Sequence, residues 1–403
     1  MEGASLEELA RQYGTPLYVY SLAALNEAYA AYEQALSGLP HLICYAVKAN
    51  GSLAILQHFA RLGAGFDIVS GGELARVLSA GGSADRIVFS GVGKTAAEMR
   101  MALEAGIRCF NVESESELDR LNRVAGELGK RAPVSFRVNP DVDPKTHPYI
   151  STGLRQNKFG VPIERAPALY RLASGMANIE ILGVDCHIGS QLTDLSPIAD
   201  ALDRVLALAD RLAADGIELR HIDIGGGVGI RYRDETPPDM AAYREILQSR
   251  FAGRREEVVV EPGRSLVGGA GLLLTRVEYI KPGDDKTFVI VDAAMNDLMR
   301  PALYDAFHEI VSVGEPAGKP LHCDVVGPVC ETGDFIGLGR DLAVAEGGLL
   351  AVLSAGAYGM SMSSNYNTRP RAAEVLVNKN EIRLVRQRET VEGLMAGERL
   401  LDW

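Results

Sequence analysis

Four short stretches combine reactive side chains with residues that normally close a buried strand. The first is Tyr45-Ala46-Val47-Lys48-Ala49-Asn50, a lysine at the end of an apolar run. An ammonium at the rim of an apolar interior is partly desolvated, which lowers its pKa and favours a Schiff base with a carbonyl. The bland alternative is a surface lysine at a strand end. The second is His187-Ile188-Gly189-Ser190-Gln191, whose imidazole either faces a ligand or packs and caps. The third is Asp223-Ile224-Gly225-Gly226-Gly227; its glycines expose backbone N–H groups that can cradle an anion, or they make a tight turn and nothing else. The fourth is Glu261-Pro262-Gly263-Arg264, a carboxylate and a guanidinium that either bind a ligand or pair with each other. One ligand would use all four stretches at once: a carbonyl for the lysine, a flat ring for the histidine, a phosphate for the glycines and a basic nitrogen for the glutamate. Pyridoxal 5'-phosphate (PLP) has these groups.

These stretches follow four of eight apolar, β-branched runs, at residues 42–47, 66–69, 87–89, 109–112, 134–138, 182–187, 222–224 and 258–261. Continuous apolar runs suit parallel strands buried on both faces. Amphipathic helices are expected between them, at 72–80, 96–105, 114–128 and 195–214. Ser114 with Glu117 three residues on is a capping-box pattern. Gly81-Gly82, Gly106 and Gly216 stand where helices should stop. Eight such units in this span fit a (β/α)8 TIM barrel, whose chemistry sits at the C-terminal strand ends. An open doubly wound sheet is the rival, but the Gly-rich fingerprint it would carry after the first strand is missing. Beyond about residue 265 the rhythm changes to strands with few helices, at 271–280, 286–291, 322–326, 349–354 and 372–377, and 16–20 reads as a further strand. The expected organisation is α/β: a PLP-binding barrel over 25–265, with a mostly β domain, sandwich- or barrel-like, from 1–24 and 266–403.

The chain of 403 residues carries a formal net charge of −12 and no long basic run, which disfavours nucleic-acid binding. No apolar stretch is long enough to span a membrane, and the polar, acidic start does not read as a signal peptide. Five cysteines without CxxC spacing argue against a disulfide framework or structural zinc and for free thiols in the cytoplasm. The histidines lack ligand spacing, so no metal is expected. Gly91-Val92-Gly93-Lys94-Thr95 imitates the end of a P-loop, but its first glycine is absent because position 88 is Val. The glycines at 225–229 likewise fail the dinucleotide spacing.

At this point the sequence resembles the alanine-racemase-like, fold type III PLP-dependent decarboxylases. The four strand-end stretches carry the resemblance, with Cys330-Glu331-Thr332-Gly333-Asp334 and Ala357-Tyr358-Gly359. Val325 to Phe335 and Asn296 to Tyr304 are more narrowly similar to the branch that acts on meso-diaminopimelate. The likeness runs from about residue 8 to the end. It implies that Lys48 carries the cofactor covalently and His187 stacks on its ring. Ser190, Gly226, Gly227, Gly263, Arg264 and Tyr358 would complete the cofactor site, with Glu261 on the pyridine nitrogen. Arg264, Arg300, Tyr304, Glu331 and Tyr358 would bind substrate, and Cys330 would donate a proton. The resemblance further implies a homodimer in which one subunit lends Cys330-Glu331 to the other's site. Relatives often have an apolar segment before the position of Leu6, so a shortened strand is expected there.

The chemistry agrees with this reading. Losing a carboxylate leaves an electron pair that a protonated pyridine ring accepts, and Glu261 would keep that nitrogen protonated. An arginine there would suit a racemase better. A thiol such as Cys330 is a plausible acid for the return of the proton. Diaminopimelate has a distal ammonium for Glu331 and a distal carboxylate for an arginine; lysine or ornithine as substrate would leave that arginine unsatisfied. The expected function is decarboxylation of meso-2,6-diaminopimelate to L-lysine and CO2, the last step of lysine biosynthesis. The alternatives are a decarboxylase for ornithine, arginine, carboxynorspermidine or carrier-bound glutamate, and a non-catalytic relative that binds a partner protein.

Overall fold

The structure is a computed structural model that describes residues 1–142, 158–315 and 319–403. Its contacts divide the chain into two compact units. One is Ala28–Ile230 with Thr236–Ser265, and the other is Met1–Glu27, Arg231–Glu235 and Leu266–Trp403.

The first unit is a closed barrel of eight parallel strands: His41–Ala46, Gly65–Ile68, Ile87–Phe89, Cys109–Val112, Ala132–Asn139, Ile179–Asp185, His221–Asp223 and Glu257–Val260. Each pairs with the next, and the eighth closes on the first, with Val258 opposite His41. The strands are buried nearly throughout, and this explains why their sequences run apolar without alternation. The lower barrel is filled by Leu42, Cys44, Val88, Cys109 and Val259. Between strands and helices, Phe136 meets Tyr170 edge-on at 4.7 Å and Tyr45 meets Phe59 at 4.6 Å. Burying one such ring contributes about 1.5–3 kcal/mol. Gly183 on the sixth strand has to be glycine, because a Cβ there would lie 2.2 Å from Nε2 of His221.

Helices follow the strands as the sequence indicates, among them Gly71–Ser79, Ala96–Ala105, Glu115–Glu127 and Ser196–Ala214. Gly106 ends the second of these in the left-handed conformation (φ 73°). The capping box expected at Ser114 is half formed. Its hydroxyl accepts from the Glu117 N–H at 3.2 Å, but the Glu117 carboxylate accepts from the Glu113 N–H and from Lys94 instead. The full reciprocal box is at Thr95 and Glu98. Lys94 of the P-loop imitation is buried, donating to Glu117 and to the carbonyls of Gly91 and Asn111. It is a structural cation.

The second unit is built on a nine-stranded mixed sheet. Its main path runs Phe335–Ala343, Pro320–Val326, Thr287–Val291, Gly271–Pro282, Leu17–Ser21, Ala373–Asn378 and Glu381–Arg386. Leu349–Val352 branches from Gly271–Pro282, and Ile310–Ser312 pairs with Leu349–Val352. Leu17–Ser21 is wholly buried, and its Leu17 and Val19 pack with Leu272, Leu274, Val375 and Val377. Three of these strands were not marked by the sequence. Phe335–Ala343 carries Gly337 and Gly339, which read as a turn, and Ile310–Ser312 is too short to stand out. Glu381–Arg386 alternates charges because it is an edge strand and half exposed. Among the described residues no helix is long and apolar enough to cross a membrane.

Candidate active site

Eight of the expected site residues lie at the C-terminal ends of the first, sixth, seventh and eighth barrel strands. Lys48 sits on a 3-10 turn (Val47–Ala49) directly after the first strand. Its Nζ donates to Asp67 Oδ2 at 2.5 Å, and Asp67 is wholly buried on the second strand. His187 follows the sixth strand. Its Nδ1 accepts from the Gly226 N–H at 3.2 Å, which leaves the ring proton on Nε2. Burial, helped by the positive charges of Arg137 and Lys48, holds its pKa well below the ordinary histidine value, so the imidazole is neutral.

The glycine loop is locked in place by its neighbours. The Gly225 N–H donates to Asp223 Oδ1 at 2.8 Å, and the Glu261 N–H donates to the Gly225 carbonyl. A Cβ on Gly226 would lie 2.2 Å from the Glu261 carbonyl oxygen. Gly227 has φ +115°, a conformation other residues rarely adopt. Gly263 packs tightly on Ala46 and Ala49. Arg264 reaches Ser190 Oγ through Nε (3.3 Å) and an amino group (3.1 Å).

Glu261 stands in a crowd of acids. One oxygen each of Asp185, Asp223 and Glu261 lies within 4.8 Å of the others, and Asp185 Oδ1 and Asp223 Oδ2 are buried without a hydrogen-bond partner. Burial first, then repulsion from Asp223, Asp67 and Asp185, pushes the Glu261 pKa far up, with Lys48 pulling against it. Asp223 rises to about 7, chiefly through burial. Such a pocket favours an added positive charge, and a protonated ring nitrogen against Glu261 would supply one. The rim offers a half-buried amine, a neutral imidazole, a cradle closed to any Cβ and this acid cluster. That set fits a phosphorylated pyridine aldehyde.

The other expected residues belong to the strand-rich unit, in three segments. Arg300 opens the short helix Arg300–Tyr304. It is buried, stacks over the Tyr232 ring at 4.6 Å and approaches His308 Nε2 at 2.8 Å. Tyr304 ends the same helix, half-buried. Cys330 and Glu331 are exposed on a turn shaped by Asp334, whose carboxylate accepts from the N–H groups of Met295 (2.6 Å) and Val329 (2.7 Å). The same carboxylate therefore ties the loop before Arg300 to the Cys330 turn. The Cys330 N–H donates to Asn367, and Tyr366 donates to Glu331 at 2.9 Å. Tyr358 has φ 57° in a Gly-bounded turn. All five cysteines are free, and four of them are buried.

Sequence reading missed Asp67, Asp185, Asp223, Tyr232, His308 and Tyr366. The three aspartates had a signal: a charged residue inside a run that is otherwise apolar and buried needs a partner or a function. Tyr232 and Tyr366 had none, since their contacts come from distant segments, and nothing in the sequence marked His308, eight residues on from Arg300, as its neighbour.

The sequence profile of the family described as pyridoxal-dependent decarboxylase, pyridoxal binding domain, matches residues 22–268. The chain belongs to the pyridoxal-dependent decarboxylases. As a member of that family it is a carboxy-lyase with pyridoxal phosphate as cofactor, in line with what the strand-end residues suggested. Among its relatives is the diaminopimelate decarboxylase of Neisseria meningitidis, 61% identical over 390 residues, covering 97% of this chain and 96% of the relative. The diaminopimelate decarboxylase of Pseudomonas aeruginosa is 60% identical over 400 residues, covering 99% and 96%. The crystal structure of the Helicobacter pylori diaminopimelate decarboxylase, complexed with L-lysine, is 44% identical with a TM-score of 0.94, covering 97% of this chain and 98% of that one. The barrel and the strand-rich unit are both parts of this shared fold.

Proposed function

We propose that this decarboxylase converts meso-2,6-diaminopimelate to L-lysine and CO2, the last step of lysine biosynthesis. The full-length similarity at about three residues in five to diaminopimelate decarboxylases carries the reading, and the chemistry of the barrel rim supports it. Bound pyridoxal phosphate supplies the electron sink for the pair left when the carboxylate departs. Lys48 would hold the cofactor, and Asp67 beside it would pair with the lysine ammonium when it is free. Glu261 would keep a proton on the ring nitrogen. His187 would face the ring, and being neutral it would not repel a ring that carries positive charge. Ser190, Gly226, Gly227, Gly263, Arg264 and Tyr358 would hold the phosphate end.

Arg264, Arg300, Tyr304 and Tyr358 bind substrate, and Glu331 meets the distal ammonium. Cys330 returns a proton to the carbon that lost its carboxylate. Its exposure, with that of Glu331, supports a homodimer in which this turn completes the partner's site. The free cysteines support a reducing, cytoplasmic setting. The domain reading of 25–265 against 1–24 and 266–403 belongs to the same proposal. The test is CO2 release by the PLP-loaded enzyme from meso-diaminopimelate, ornithine, arginine and lysine. Release from diaminopimelate alone supports the reading; release from ornithine or lysine at equal efficiency overturns it.

A further inference from the structure

Arg300 is oriented by groups that no motif marked. Its guanidinium lies over the Tyr232 ring at 4.6 Å, and one amino group is 2.8 Å from Nε2 of His308. His308 is itself wholly buried. Its Nδ1 is 2.8 Å from the Leu353 carbonyl oxygen, and its ring meets Tyr232 edge-on at 5.2 Å. An arginine can only donate, so Nε2 accepts. A carbonyl can only accept, so Nδ1 carries the proton. Both contacts are satisfied by a single tautomer of an uncharged imidazole.

We propose that His308 is a positioning residue for substrate recognition: with Tyr232 it fixes the plane of the Arg300 guanidinium for bidentate capture of a substrate carboxylate. The choice of a neutral acceptor has a physical reason. A carboxylate at this position would orient the guanidinium equally well, but it would cancel the charge and compete with the substrate for it. An imidazole leaves the positive charge intact. Burying a cation is costly, and the aromatic face of Tyr232 offsets part of that cost for Arg300.

The inference rests on the proposed role of Arg300 in binding substrate, and the test separates the two. The KM for meso-diaminopimelate and the calorimetric Kd for L-lysine are measured on holoenzyme carrying Arg300→Ala, His308→Asn, His308→Gln or His308→Glu. Asn keeps the donor to Leu353 but lacks the reach to Arg300; Gln keeps an acceptor for Arg300. His308→Asn should raise both constants about 10-fold, a larger change than in kcat, and Gln should restore most of the loss. His308→Glu should bind substrate worst of the three while its Tm is the best maintained, which a purely structural role would not produce. Combined with Arg300→Ala, His308→Asn should cost nothing further. If Arg300→Ala raises KM and His308→Asn does not, His308 has no such role. If Arg300→Ala itself leaves KM unchanged, the substrate-binding reading of Arg300 fails first and takes the proposal with it.

Discussion

Glu261 is a carboxyl whose surroundings oppose its charge. Burial and the neighbouring acids raise its pKa, and only a cation brought to it reverses that balance. On the proposed reading the ring nitrogen is that cation. Glu261→Gln keeps the shape but removes the charge, so kcat should fall by about 10²-fold or more while the protein still binds pyridoxal phosphate; CO2 release and the cofactor's absorbance together check this, and a fully active variant would sink the assigned role. Asp297 offers a second test at this scale. It is buried, its carboxyl accepts from the Ala294 N–H, and burial raises its pKa to about 7. Between about pH 4 and 7 the folded protein therefore keeps a proton that the unfolded chain has released, and stability from this group falls as pH rises through that window. Asp297→Asn should abolish that share of the slope. Melting curves across the window should show wild type losing on the order of a few degrees relative to the variant toward pH 7; parallel curves would contradict the assignment.

At the scale of elements, the site depends on close approach between strand ends and on loops held by single carboxylates. The Gly226 backbone leaves no room for a Cβ beside the Glu261 carbonyl. Gly226→Ala must therefore push the seventh strand end away from the eighth, and cofactor affinity, read from fluorescence titration, should drop by about 10-fold or more with little change in the far-UV circular dichroism. Asp334 accepts from the Val329 N–H in the turn that carries Cys330 and Glu331 and from the Met295 N–H in the loop before Arg300. Asp334→Ala leaves both donors unmet and should cost about 1–3 kcal/mol of stability, with a loss of CO2 release larger than that instability explains. Asp334→Asn keeps one acceptor and should fall between. An alanine variant with wild-type activity would mean that the turn needs no such support.

For the whole molecule, the proposed homodimer makes a prediction that one chain alone cannot fulfil. If each site takes Lys48 from one subunit and Cys330 from the other, Lys48→Ala and Cys330→Ala proteins are each inactive. After unfolding and refolding them together, mixed dimers contain one intact site, and about a quarter of wild-type activity should return. No recovery, with mixed dimers demonstrated by native mass spectrometry, would assign both residues to the same subunit.

Much of the fold was legible because parallel strands buried on both faces write long apolar runs, such as residues 109–112 and 258–261, and because glycines mark where helices end. The placement of the barrel-rim residues was legible for a related reason. A lysine, a histidine, a glycine trio and a glutamate each stood at the end of such a run or directly after it, so local order alone put them at one end of a barrel. The strand Phe335–Ala343 was hidden by its glycines, and Glu381–Arg386 by the charges that protect an edge. Asp67, Asp185 and Asp223 were visible as letters but not as partners of Lys48 and Glu261, since strand neighbours in a barrel lie tens of residues apart in sequence. His308 beside Arg300 was legible in no sense. Sequence by itself determined which element each reactive residue would end, because that follows from local hydrophobic pattern. Only the tertiary structure decided which group stands beside which, and therefore which charges are stabilised, because burial and electrostatics act through space and not along the chain.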